Sequence, residues 1–140
     1  MFRNARLLLL SLSLIVVLAT ACTSSAATQN LAGTQWKLAT LNGKPPITAG
    51  NPVVLNFDSS NQISGNSGCN SYGGEYTSSG SALAFSKVFS TLMACADQSV
   101  NDQEAAFHLA LGKVVSFEIS NGQLNLKDAG GIVLMTFSKV

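Results

Sequence analysis

Arginine is missing from nearly the whole chain. Its two arginines, Arg3 and Arg6, lie at the extreme N-terminus, and none follows. Beyond residue 21, six lysines face seven acids, a net charge of −1. A nucleic-acid partner needs a basic face and usually planar guanidinium forks, so none is expected. No block of like charge offers steering toward an anionic membrane. Histidine is reduced to His108. The three cysteines, Cys22, Cys69 and Cys95, form no Cys-x-x-Cys pair. One imidazole and two widely separated thiols match no short zinc-ligand spacing, so neither metal nor cofactor is expected. After residue 18 no second long apolar run occurs, so the folded part is expected to meet a membrane only through its N-terminus.

What is present begins with a targeting signal. Arg3 and Arg6 precede an apolar run over residues 7–18, broken only by Ser11 and Ser13. That length is short for a membrane span and suits the core of a signal peptide, assigned here to residues 1–21. Ala19-Thr20-Ala21 fits ordinary signal cleavage. Leu18-Ala19-Thr20-Ala21-Cys22 also resembles a bacterial lipobox, although the family pattern prefers leucine where Ala19 stands. On that reading Cys22 is acylated and becomes the new N-terminus. Lipidation removes the odd thiol and leaves Cys69 and Cys95 as an even pair. Small polar residues 22–30 then form a flexible tether. The expectation is an exported protein, lipid-anchored in the bacterial envelope, at the outer membrane if there are two. A soluble secreted or periplasmic protein is the alternative.

Residues 31–140 suffice for one domain with a modest core. Their apolar period is mostly two. Trp36 and Leu38 share one strand face; Val53, Leu55 and Phe57 share another. Glu75-Tyr76-Thr77 and residues 81–89 read as further strands, with Leu83, Phe85 and Val88 inward. Residues 99–114 switch to helical spacing, with Val100, Phe107, Leu111 and Val114 on one stripe, joined by Ala106 and Ala110. Ser99 is the expected N-cap and Gly112 the end. Val115, Phe117 and Ile119 alternate again, and Asn121-Gly122 is a strong two-residue hairpin signal. The sum is an α+β domain: a mostly antiparallel curled sheet or half-barrel of about seven to eight strands, with one helix inserted before the last three.

Candidate chemistry is sparse. Cys69 and Cys95 suit a structural disulfide in an oxidising compartment, with two buried thiols or a redox pair as alternatives. Glu104 and His108 share a helix face, but a solvated surface pair is commoner than an acid–base couple. Gly65-Asn66-Ser67-Gly68 imitates a phosphate-cradling loop without its lysine or following helix, and reads better as a tight, bulged turn. Trp36, Phe57, Phe85, Phe107 and Phe117 are assigned to the core. Tyr72 and Tyr76, each with a polar tip and beside the glycine-rich turn, are expected to be exposed and to offer a ligand or partner surface.

These landmarks resemble the META domain, the family of HslJ-type heat-shock proteins of bacterial envelopes. Gly33-Thr34-Gln35-Trp36 opens the match. Gly68-Cys69-Asn70-Ser71-Tyr72-Gly73-Gly74 and Ser90-Thr91-Leu92-Met93-Ala94-Cys95 form its specific centre. Leu134-Met135-Thr136-Phe137 closes it. The resemblance implies a compact half-barrel with a helix against its open side. It carries no established enzyme activity and no catalytic residues. It links the chain to envelope stress and drug tolerance. A shape similarity of the family to lipid-binding secretin pilot proteins implies a groove for an apolar ligand or partner. The expected function is therefore non-enzymatic: a monomeric envelope lipoprotein presenting a binding surface to another envelope component. A carrier of a hydrophobic or lipid ligand is the alternative, and a hydrolytic or redox enzyme a weaker one.

Overall fold

The computed structural model describes residues 29–140. The signal peptide expected at 1–21 and the acylation expected at Cys22 fall outside the described residues. Eight strands and one helix follow in order: β1 (Thr34–Leu41), β2 (Val54–Phe57), β3 (Gln62–Asn66), β4 (Ser71–Ser79), β5 (Ala82–Ser90), α1 (Gln98–Leu111), β6 (Ser116–Ser120), β7 (Gln123–Lys127) and β8 (Val133–Lys139). All neighbouring pairs are antiparallel, and β8 returns to β1 to close a barrel. The α+β architecture and the helix before the last three strands are as the sequence predicts. Closure goes one step beyond a half-barrel, but the seam is thin. β5 meets β6 through the single register pair Ala82↔Ser116.

Alternation explains the wall. Val53, Leu55 and Phe57 are buried, as are Leu124 and Leu126 on β7 and Leu134, Met135 and Phe137 on β8. Period two sends these side chains inward, except at Leu134, which a register shift against β7 places beside Met135, and together they fill the lumen as in other small barrels. The Trp36 indole N–H donates to Thr34 Oγ1 at 2.7 Å, so its polar atom is satisfied inside the wall. Asn121 and Gly122 both take positive φ, 52° and 75°, as the β6–β7 hairpin requires.

Two local expectations are corrected. Val88 does not face the core but is exposed. Lys87 adopts φ 51°, and the β4–β5 register shifts between Gly73 and Glu75, so the alternation slips before Val88. The helix cap is Asp97, not Ser99. The Asp97 carboxylate accepts from Ser99 N at 2.8 Å, so Ser99 is already inside the first turn.

The two ends of the barrel are closed differently. At the β1 entrance, Leu31 is buried in the core. Just before it, the Gln29 side-chain amide exchanges two hydrogen bonds with the Ile119 backbone, at 2.9 and 2.8 Å. Phe117 N–H reaches across the seam to Ser81, and Ile119 lies two residues further along the same edge. Gln29 thus stands in for a strand neighbour where β6 runs past β5. The opposite end is covered by α1. Phe107 packs on Tyr72 with ring centroids 5.3 Å apart. The Gln103 carbonyl oxygen accepts from Ile47 N at 2.7 Å, tying the helix to the β1–β2 connection.

Candidate functional site

The covered end holds the chain's concentrated polar chemistry. Ser67, Asn70, Gln103 and Glu104 are the buried polar or charged residues among those described. The β3–β4 turn delivers Ser67 and Asn70; α1 delivers the other two. Gly68 takes φ 113° at the apex of this turn, a conformation that disfavours a side chain.

Asn70 is the hub. Its Oδ1 accepts from Thr91 Oγ1 at 2.8 Å and from Met93 N at 2.7 Å. Its Nδ2 donates to Glu104 Oε2 at 2.9 Å and to Met93 O at 3.2 Å. One amide therefore ties the turn to the loop after β5 and to the helix. The Ser67 hydroxyl lies between the Asn70 carbonyl, at 2.9 Å, and the other oxygen of Glu104. Beside this cluster Cys69 is bonded to Cys95, with Cα atoms 6.2 Å apart, within the normal range for a disulfide. The pair is thus a staple between the glycine-rich turn and the approach to the helix.

His108 Nε2 stands 3.8 Å from Glu104 Oε1, too long for a hydrogen bond, and has no partner among the described residues. The imidazole is wedged edge-on against Tyr72 and Phe107. Burial lowers its pKa below the ordinary imidazole value, with the Glu104 carboxylate opposing that shift. Gln103 Nε2 is likewise buried without a partner. No group of three or more histidine, cysteine or acidic side chains is placed to hold a metal ion among the described residues.

Ser67 is fully buried, and its hydroxyl faces a carboxylate and a carbonyl rather than the imidazole. A nucleophile would need the base within reach and room for a substrate. Glu104 and His108 do share a helix face, but Glu104 is buried within the hub and is not a surface residue. Sequence reasoning missed Gln103 and Glu104 as buried groups. The available signal was their position three and four residues after Val100, on the stripe that also carries Phe107. Polar residues on a core-facing stripe demand partners.

Tyr72 and Tyr76 are not the exposed pair the sequence suggests. They are 4% and 3% exposed. The Tyr72 hydroxyl donates to Val54 O at 2.9 Å and that of Tyr76 to Asp58 O at 3.1 Å. Burial raises both phenol pKa values. Their polar tips are satisfied by backbone carbonyls inside the barrel wall, which removes the reason to expect them at the surface.

Two recesses adjoin the helix. A groove of about 320 Å³ lies between β5 and α1, lined by Val88, Phe89, Ser90, His108, Leu111 and Gly112. A cleft of about 490 Å³ beside the disulfide is bordered by Gly50, Gly68, Met93, Asp97 and Val100.

An antiparallel eight-stranded barrel, capped by one helix and clamped by a turn-to-loop disulfide, defines a small α+β domain. The META domain pattern matches residues 29–140, and the chain belongs to that family. Solved structures support the fold. A protein from Burkholderia xenovorans, determined by NMR, is 28% identical over 82% of this chain and 87% of its own, with a TM-score of 0.64. A second NMR structure is 27% identical over 77% and 90%, with a TM-score of 0.63. A DUF4847 family protein from Bacteroides vulgatus shares the fold alone, at 16% identity over 77% and 93% and a TM-score of 0.51. No curated protein matches the chain.

Proposed function

We propose that this META-domain protein is a non-enzymatic lipoprotein of the bacterial cell envelope. Cys22 holds it to a membrane, and its rigid barrel presents an apolar surface to another envelope component. The observation that carries this reading is the contrast between inside and outside. The lumen is filled: Leu55, Leu124, Leu126, Met135 and Phe137 have no exposed surface. Phe89, Leu92 and Met93, by contrast, are left outside on the end of β5 and the loop that follows. A filled interior with an apolar exterior patch suits contact with a partner rather than enclosure of a ligand.

Intact mass of the membrane-extracted protein tests the anchor. Acyl groups added at Cys22 are the expected result; a mature chain of unmodified mass overturns it. The β5–α1 groove favours a second reading, transport or sensing of a small hydrophobic or lipid ligand. Native mass spectrometry of protein purified from its host separates the two, because a carrier retains a co-purified ligand mass.

A further inference from the structure

Leu92, in the loop after β5, is 96% exposed, while the residues on both sides of it are tied to the scaffold. Asn70 holds both. Its Oδ1 accepts from the Thr91 hydroxyl at 2.8 Å and from Met93 N–H at 2.7 Å, and its Nδ2 donates to Met93 O at 3.2 Å. Asn70 is itself fixed by donating to the buried Glu104 carboxylate at 2.9 Å. Thr91 N–H donates to Ser71 O at 3.0 Å. Three residues beyond Leu92 the chain is locked by the Cys69–Cys95 bond. Residues 91–95 form no turn or helix, so the segment runs as an open, supported loop.

A surface that needs only to be apolar does not require this clamp. The clamp singles out one peptide bond, Leu92–Met93: its own N–H and groups on either side of it meet a single amide. The partner that reads one projecting side chain together with the peptide bond after it is an endopeptidase. An ordinary substrate must be ordered on binding, and its cleaved ends drift apart. This loop is ordered in advance, which lowers the entropic cost of docking. Hydrolysis would add water across the C–N bond, leaving a Leu92 carboxylate and a Met93 amine. Both ends would stay in place, because the bond lies inside the ring closed by Cys69 and Cys95 and Asn70 grips Thr91 and Met93. Religation then competes with release. We propose that the loop inhibits a serine endopeptidase as a tightly bound, slowly cleaved substrate mimic, with Leu92 in the specificity pocket and Asn70 as the positioning residue. Residues 88–96 carry no charge, so the pocket they suit is the apolar kind of chymotrypsin rather than the acidic kind of trypsin. The proposal rests on the binding-surface reading, whose partner it assigns to a chemical class, and does not depend on the anchor at Cys22.

The test measures inhibition of chymotrypsin, subtilisin and trypsin by the mature protein carrying Cys22→Ser, which lacks the odd thiol. At least one of the first two should be inhibited with a constant below about 1 μM, and trypsin should not be. Leu92→Gly should weaken inhibition about thirtyfold or more, as loss of a central anchoring side chain implies. Leu92→Lys should transfer inhibition to trypsin, whose pocket holds an aspartate. Thr91→Val, which removes one bond of the clamp, should speed cleavage after Leu92. An unchanged urea midpoint for the Leu92 variants shows that the fold is kept. Failure to inhibit either chymotrypsin or subtilisin, cleavage after Leu92 at the rate of an ordinary substrate, or trypsin left uninhibited by Leu92→Lys would each overturn the proposal. So would inhibition indifferent to Leu92→Gly. The intact mass of the wild-type protein keeps the readings apart. Acylation without inhibition removes the inhibitor alone, and inhibition without acylation removes the anchor alone.

Discussion

Replacing Asn70 with alanine should be among the most damaging single changes in the domain. The substitution removes four hydrogen bonds, from Asn70 to Thr91, to both backbone groups of Met93 and to Glu104. A neutral hydrogen bond is worth about 1 kcal/mol net, and one to a carboxylate about 1.5–3. Solvent can recover part of the loop's loss, because Thr91 and Met93 are exposed. Glu104 cannot recover as much: it is buried, and its Oε2 loses the amide donor. The expected loss is roughly 3–5 kcal/mol, or about 10–20 °C in melting temperature for a domain of this size. Urea unfolding at neutral pH, followed by fluorescence of the buried single tryptophan Trp36, measures it directly. Thr91→Val, which deletes one peripheral bond, should cost about 1 kcal/mol. A loss below about 1 kcal/mol for Asn70→Ala would refute the hub reasoning, because it would mean that Glu104 and the loop find equivalent partners without it.

Three further predictions follow from the same structure. Cys69 and Cys95 are 26 residues apart, so breaking the bond by the paired Cys→Ser change should cost about 3.5 kcal/mol, read as a lower urea midpoint. Gly65 faces the β2 backbone so closely that a Cβ would lie 2.0 Å from Val54 O and 2.9 Å from the Tyr72 ring. Gly65→Ala should therefore cost roughly 3 kcal/mol or more and reduce soluble yield. His108 has a pKa lowered by burial, so the unfolded chain binds its proton more tightly than the folded one. Stability should then be full above the ordinary imidazole value and fall as pH drops below it, until the lowered folded value is passed. Unfolding free energies on either side of that window should differ more in the wild type than in His108→Gln; equal slopes would remove the assignment.

The parts of the fold legible in sequence were those with a local cause. Val53, Leu55 and Phe57 alternate because a half-buried strand alternates. Val100, Phe107 and Leu111 recur at helical spacing because one stripe faces the barrel. Asn121-Gly122 takes positive φ because those residues tolerate it. The errors also had physical sources. Val88 was misplaced by a bulge at Lys87, which sequence spacing does not reveal. Tyr72 and Tyr76 were expected outside because they carry hydroxyls, but carbonyls of Val54 and Asp58 receive those hydroxyls inside the wall. The cluster around Asn70 joins a turn, a loop and a helix. The bonds that leave the turn reach 21 to 37 positions along the chain, so no local pattern announces it. The Cys69–Cys95 pair was the nearest readable marker, since it ties the same turn to the same loop.

The closure of the barrel by its outermost strands governs when the domain can fold. β1 pairs with β8 from Trp36↔Lys139 to Leu41↔Met135, contacts about a hundred residues apart in the chain. A chain emerging N-terminus first can form the hairpins between β2 and β5 early. It cannot complete β1 until the final residues have appeared. The wall can therefore close only once β8 is available to pair with β1. Loss of a few terminal residues would cost not one strand but the closure of the whole wall.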